Sequence, residues 1–346
     1  MLVDWITARL PLDLLCEEDR ETLLGLGDRI RRFNPKTGEL CWETTAWDSI
    51  RSDSHQINFK PGGDALWIQG SPGRVFGDGD AVFGAGPASA LDLSGCVRGM
   101  AAMVFDAQGL QSSPSVGQWI VSRVDVTGML LLDSLPDVRA ALSVLKNCEG
   151  QRYRVEQQAG DTVYWSKSSR IRKGKAYAKG PHLRYLMKKR DYQGRRYTDD
   201  EIEAAGCLLR LELTLGAQWW RERAGKSWWL VSASELKKEW TEYFNRMLGD
   251  AKVTEMNLQE RIRAVVETDG QAKAAHACWA LIKAYGWDKA RDMQSKSAWY
   301  RNLKALRDAG LSDADLSHGN VVPFRRPLIE SRMVDSWADL YRLRAA

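Results

Sequence analysis

The stretch Cys207-Leu208-Leu209-Arg210-Leu211-Glu212-Leu213-Thr214-Leu215 decides the fold class. Leucine alternates with polar residues at period two, the pattern of a strand with one face in a core. The same alternation puts Arg210 and Glu212 on one face. An acid inside a strand is costly unless a cation compensates it.

Two other segments repeat the arrangement. Arg123-Val124-Asp125-Val126-Thr127 lies in an apolar strand from Trp119 to Leu130 and puts Arg123, Asp125 and Thr127 on one face. Lys175-Ala176-Tyr177-Ala178-Lys179 reads as a strand in which Tyr177 and Lys179 share a face, and Thr162-Val163-Tyr164-Trp165-Ser166 as another. Nearer the start, Asp4 to Leu10 is a strand that stops at Pro11. Gln56 to Lys60, the turn Pro61-Gly62-Gly63-Asp64 and Ala65 to Gly70 form a hairpin. Helical spacing marks Ala88–Phe105 and Pro136–Leu145, a basic helix starts near His182, and long amphipathic helices follow from Ser232 onward. The expected architecture is α+β, with a mainly antiparallel sheet in residues 1–225 and a helical region in 226–346.

The 346 residues are 44% hydrophobic and 27% charged, as in globular proteins, and no apolar run is long enough to span a membrane. The N-terminus has no secretory pattern, so the expected compartment is the cytoplasm. Six scattered cysteines without a CxxC pair, and four isolated histidines, indicate neither a disulfide framework nor a histidine- or cysteine-held metal. The glycine-rich stretch Gly73–Gly86 carries Asp78 and Asp80 and lacks the Lys-Ser/Thr of a phosphate loop.

Charge is distributed unevenly. Residues 151–197 hold fourteen Lys and Arg against three acids, while the whole chain is only +5, so the remainder is net acidic. Such a segment suits contact with a phosphate backbone, although a solvated charged face gives the same composition. The fifteen tryptophans, including Trp219-Trp220 and Trp228-Trp229, read mainly as core, with base stacking the other use.

If the strands of Asp125, Tyr177 and Glu212 are neighbours, an acid pair, a phenol and several cations converge on one side of a sheet. Hard Mg²⁺ or Mn²⁺ between Asp125 and Glu212 would compensate the acids; pairing with Arg123 and Arg210 would do so equally. That inventory suits phosphoryl transfer to a tyrosine.

In this order the segments resemble the gene II/X family of filamentous-phage replication initiators. The resemblance runs through Ile6–Pro11, Ser71–Val75, Val82–Gly84, Ser122–Thr127, Thr162–Trp165, Ala176–Lys179, Leu209–Glu212 and Asn320–Pro323. It implies a Rep/relaxase-like nickase domain that nicks the viral strand of double-stranded phage origin DNA in the host cytoplasm. It further implies that the displaced single-stranded viral DNA is recircularised through a phosphotyrosine, with a host helicase and DNA polymerase as partners. By the same resemblance Tyr177 is the nucleophile, Asp125 and Glu212 hold the metal, and Lys179 and Arg210 contact phosphate. Tyr164 is the alternative or second nucleophile, and Arg170, Arg172, Lys173 and Lys175 are the nearest DNA-binding cations. The family's shorter product suggests an internal start at Met256. Two other readings stay open: a non-catalytic origin or single-strand DNA-binding protein, and a plasmid or conjugative relaxase.

Overall fold

The computed structural model describes residues 1–51, 56–145, 155–158, 162–190, 192, 194–248, 258–311, 316 and 332–345. Its strands are β1 (Leu2–Pro11), β2 (Arg29–Phe33), β3 (Leu40–Thr45), β4 (Asp48–Arg51), β5 (Gln56–Gly62), β6 (Ala65–Gly70), β7 (Ile120–Leu131), β8 (Val155–Gln158), β9 (Thr162–Trp165), β10 (Arg172–Ala178), β11 (Leu208–Leu215) and β12 (Arg332–Met333). Among the described residues, ten of these form one sheet in the order β4-β5-β6-β1-β7-β11-β10-β9-β8, with β12 also on β7. Every pairing in it is antiparallel. The α+β expectation therefore holds. β2 and β3 make a separate ribbon.

The helices are α1 (Glu17–Leu24), α2 (Pro72–Val75), α3 (Gly86–Ser89), α4 (Leu93–Gln108), α5 (Leu135–Leu145), α6 (Lys179–Met187), α7 (Asp199–Gly206), α8 (Ala217–Trp219), α9 (Ala233–Leu248), α10 (Leu258–Val265), α11 (Asp269–Tyr285), α12 (Trp287–Asp292) and α13 (Lys296–Asp308), followed by a terminal helix, Trp337–Arg344. Leu209, Leu211, Leu213 and Leu215 of β11 and apolar residues of β1, β5, β6 and β7 form one buried core with α4, α5 and α9. Glycine lets α9 lie directly on the central strands. A Cβ at Gly128 would sit 2.7 Å from the Trp240 ring, and one at Gly174 would sit 2.5 Å from the Tyr243 ring. Trp240 also donates its indole N–H to the Leu211 carbonyl at 3.1 Å.

The division expected at residue 225 falls inside this core, because Leu236, Trp240, Tyr243 and Phe244 belong to it. A second core, from Leu258 to Leu316, gathers α10 to α13. The chain then returns to the sheet: β12 pairs with the end of β7, and Val334 and Leu340 are buried with Phe83, Met129 and Leu183. Met256 and Asn320–Pro323 lie outside the described residues.

Candidate functional site

Register fixes which side chains share the sheet's other face. Tyr177 is opposite Arg210, Lys175 opposite Glu212 and Tyr164, and Lys173 opposite Thr214. Glu212 is opposite Thr127 and Thr214 opposite Asp125. Directly paired residues point the same way, so the four strands β9, β10, β11 and β7 bring Tyr164, Lys175, Tyr177, Arg210, Glu212, Asp125 and Arg123 onto one face. The sequence patterns anticipate this convergence.

Arg210 organises the centre. It is 1% exposed, donates from Nε to Glu212 Oε1 at 2.8 Å and ion-pairs with Asp4 Oδ2 at 2.7 Å. It also donates to the Ala81 carbonyl at 3.1 Å. Asp4 reaches it because a β-bulge interrupts the pairing of β1 with β7 between Val3 and Trp5. A bulge adds one residue to a strand and re-aims a side chain. Period-two reading cannot foresee that, so the sequence gives no sign of Asp4 in the site. Burial alone would raise both acids; the Arg210 guanidinium outweighs it and holds Asp4 and Glu212 below the usual carboxylate range.

Tyr177 is 3% exposed and donates its hydroxyl to Glu212 Oε1 at 2.7 Å. Burial pushes its phenol well above 10, and Glu212 and Asp4 add to that against the pull of Arg210. The Lys175 ammonium lies 4.0 Å from the Tyr177 ring centre, 6.0 Å from that of Tyr164, and 3.3 Å from Glu212 Oε2. Tyr164 is only half-buried, with Lys167 5.3 Å from its ring. His182, from α6, stacks edge-on against Tyr177 with ring centres 4.8 Å apart. Burial and then the neighbouring Lys179 drive its imidazole down to about 2. Its place just after the tyrosine strand hints at this contact, although an isolated histidine in a basic segment is expected to face solvent.

Lys179 departs from expectation. It opens α6 instead of extending β10, is fully buried, and donates its ammonium to the Ala81 carbonyl. Burial, then Arg210 and Arg74, lower its affinity for a proton. Lys179 and Arg210 thus hold the 80–83 loop rather than offering cations to solvent. Arg172 faces the helical side, where it pairs with Glu239 of α9 at 3.3 Å. Arg170 is exposed, and Lys173 and Lys175 are half-buried on the tyrosine face.

Asp125 and Glu212, as arranged, are each paired with cations of the protein. Arg123 grips both Asp125 oxygens, at 2.9 and 2.6 Å, while Glu212 is engaged by Arg210, Tyr177 and Lys175. Burial raises the Asp125 carboxyl despite Arg123. Among the described residues no three His, Cys, Asp or Glu side chains gather as ion ligands. The cations that neutralise these acids belong to the protein, and the donor set as arranged does not fit a resident ion.

The family of phage replication-associated proteins of the gene II type, in its N-terminal region, matches residues 2–242, which is most of the chain. The chain belongs to that family. The match ends inside α9. The replication-associated gene II protein of Enterobacteria phage I2-2 is 25% identical over 339 residues, covering 94% of this chain and 93% of the relative. No helix among the described residues is long and apolar enough to cross a membrane.

Proposed function

We propose that this member of the gene II replication-protein family initiates phage rolling-circle replication by nicking the viral strand at the origin and holding the cut strand as a phosphotyrosine. The observation that carries this reading is the convergence of two tyrosines, two cation-paired acids and Lys175 on one sheet face. In the reaction a phenol oxygen bonds to phosphorus, its proton passes to solvent, and the bond to the 3′ oxygen breaks. The freed 3′-hydroxyl primes a host polymerase behind a host helicase. Reversal of the same step by the 3′ end of the displaced strand closes a circle.

Access favours Tyr164 as the attacking residue over Tyr177. The Tyr177 hydroxyl is buried and spent on Glu212. Tyr164 is half-buried beside Lys175 and Lys167, whose charges favour the negative charge that builds up during attack. One observation favours Tyr177 instead: an acceptor, Glu212, already stands 2.7 Å from its hydroxyl, as for a nucleophile and its base.

The test is incubation with supercoiled plasmid carrying the cognate phage intergenic region, in Mg²⁺, Mn²⁺ or chelator, followed by gel analysis of nicks and of covalent protein–DNA adduct. Tyr164→Phe is expected to abolish both products and Tyr177→Phe to leave both detectable; the reverse pattern assigns attack to Tyr177. Retarded but uncut plasmid with the wild-type chain overturns the enzymatic reading in favour of an origin-binding protein. Cleavage only of a conjugative transfer origin points to a relaxase.

A further inference from the structure

The open face does not stop at the tyrosines. Beyond β7 it continues through Thr7 and Arg9 of β1, which register with Gln69 and Trp67 of β6, and then through Asn58 and Lys60 of β5. At that far end lies a cleft of about 400 Å³, lined among others by Trp47, Trp67, Lys60, Arg29, Thr44 and Glu43. This volume falls in the range of pockets that enclose one small ligand, about 300–1,000 Å³.

Each ring in the cleft carries its own cation. The Lys60 ammonium is 4.9 Å from the Trp47 ring centre, and the Arg9 guanidinium is 5.5 Å from that of Trp67. Trp47 is 40% exposed, although a tryptophan gains most from burial. The one acid among the residues named is restrained, with Glu43 Oε2 held by Arg31 Nε at 2.5 Å. Flat apolar rings beside fixed cations match one ligand chemistry, a nucleobase with its phosphates. Bases of a duplex are stacked and paired, so only an unpaired strand can insert them.

We infer that this cleft grips single-stranded DNA by stacking one or two unpaired bases on Trp47 and Trp67, with Arg9, Lys60 and Arg29 on the adjoining phosphates. The inference rests on the nicking reading for its substrate class. Five strand spacings of about 4.8 Å separate β9 from β6, and the row of Tyr164 crosses β1 at Leu2 while Trp67 faces Arg9, seven residues further at about 3.3 Å each, so the cleft lies roughly 33 Å from Tyr164 along one continuous face. A cut strand anchored at one end would therefore be held again several nucleotides away.

The test is fluorescence anisotropy of the full chain with a labelled oligo-dT, which has no origin and needs no cleavage. Trp67→Ala and Trp47→Ala are each expected to weaken binding about tenfold, with recovery in Trp67→Phe and little change for a duplex of equal length. Lys60→Gln, which leaves both rings in place, is expected to lower the salt slope by about one unit or slightly less. Unchanged oligonucleotide affinity in a Trp47→Ala/Trp67→Ala protein with wild-type melting overturns the inference, as does an equal loss for duplex. Because binding and nicking are read separately, tryptophan-dependent oligonucleotide binding without plasmid nicking sinks the nicking reading alone, and nicking without that dependence sinks the cleft alone.

Discussion

Arg210 binds two carboxylates at once, so its removal leaves the partly buried Asp4 and Glu212 with their main counter-charge gone. Breaking a buried ion pair from one side costs about 3–5 kcal/mol, and Arg210→Met is expected to destabilise by that order in urea unfolding. A milder loss is expected when Asp4→Asn accompanies it, because one stranded charge goes too. His182 gives a pH signature. Its folded value of about 2 lies far below the ordinary 6.5, so between those values the unfolded chain binds a proton that the folded chain refuses. The stability this group contributes is complete above pH 6.5 and falls as pH falls, by about 1–2 kcal/mol at pH 5. Urea midpoints at pH 7, 6 and 5 are expected to slope less in His182→Phe than in wild type; parallel slopes would refute the buried neutral imidazole. Asp125, Tyr177 and Glu212 are visible in the sequence because each holds the polar phase of a regular alternation between apolar neighbours. Asp4 is not, since a bulge aims it, and of His182 the sequence shows the nearness to the tyrosine strand but not the burial, which the helix start brings about.

At the scale of elements, the strands that carry the site are legible because one face of each is leucine, valine or alanine. The β2–β3 ribbon is not: Ile30, Phe33, Leu40 and Trp42 are all about half exposed, and without a buried face no alternation is imposed. Sequence spacing places the start of α6 three residues late, which turns Lys179 from a buried loop anchor into a surface cation. The contact of α9 with the sheet depends on two missing side chains. Gly174→Ala would drive a methyl group into the Tyr243 ring, and Gly128→Ala one into Trp240. Overpacking of this kind costs about 1–3 kcal/mol. A thermal-melt cycle of Gly174→Ala with Tyr243→Leu is expected to be non-additive, the double variant losing less than the two single losses combined. Additive losses would mean that α9 tolerates the methyl group by moving as a whole.

For the whole molecule, the order of cores along the chain matters more than a boundary between halves. The helical core of α10 to α13 lies between α9 and β12, and the terminal helix comes back to the sheet. There Trp337 donates its indole N–H to Asp80 Oδ2 at 2.7 Å, Val334 N–H bonds the Met129 carbonyl at 3.0 Å, and the N-terminal amine meets Asp335. Asp80 also accepts from the Tyr197 hydroxyl at 2.9 Å and from Val82 N–H at 2.8 Å. It thereby shapes the loop whose Ala81 carbonyl receives both Lys179 and Arg210. A line of hydrogen bonds thus connects the last helix to the arginine at the centre of the site. Deleting residues 332–346 is expected to slow plasmid nicking at least tenfold and to lower the melting temperature of the sheet, with the α10–α13 core left folded by hydrogen exchange. Trp337→Phe keeps the aromatic packing on Phe83 and Tyr197 but loses the bond to Asp80. It is expected to cost about 1–3 kcal/mol and to slow nicking less than the deletion. Full activity in the deletion would show that the 80–83 loop holds Arg210 without help from the end of the chain.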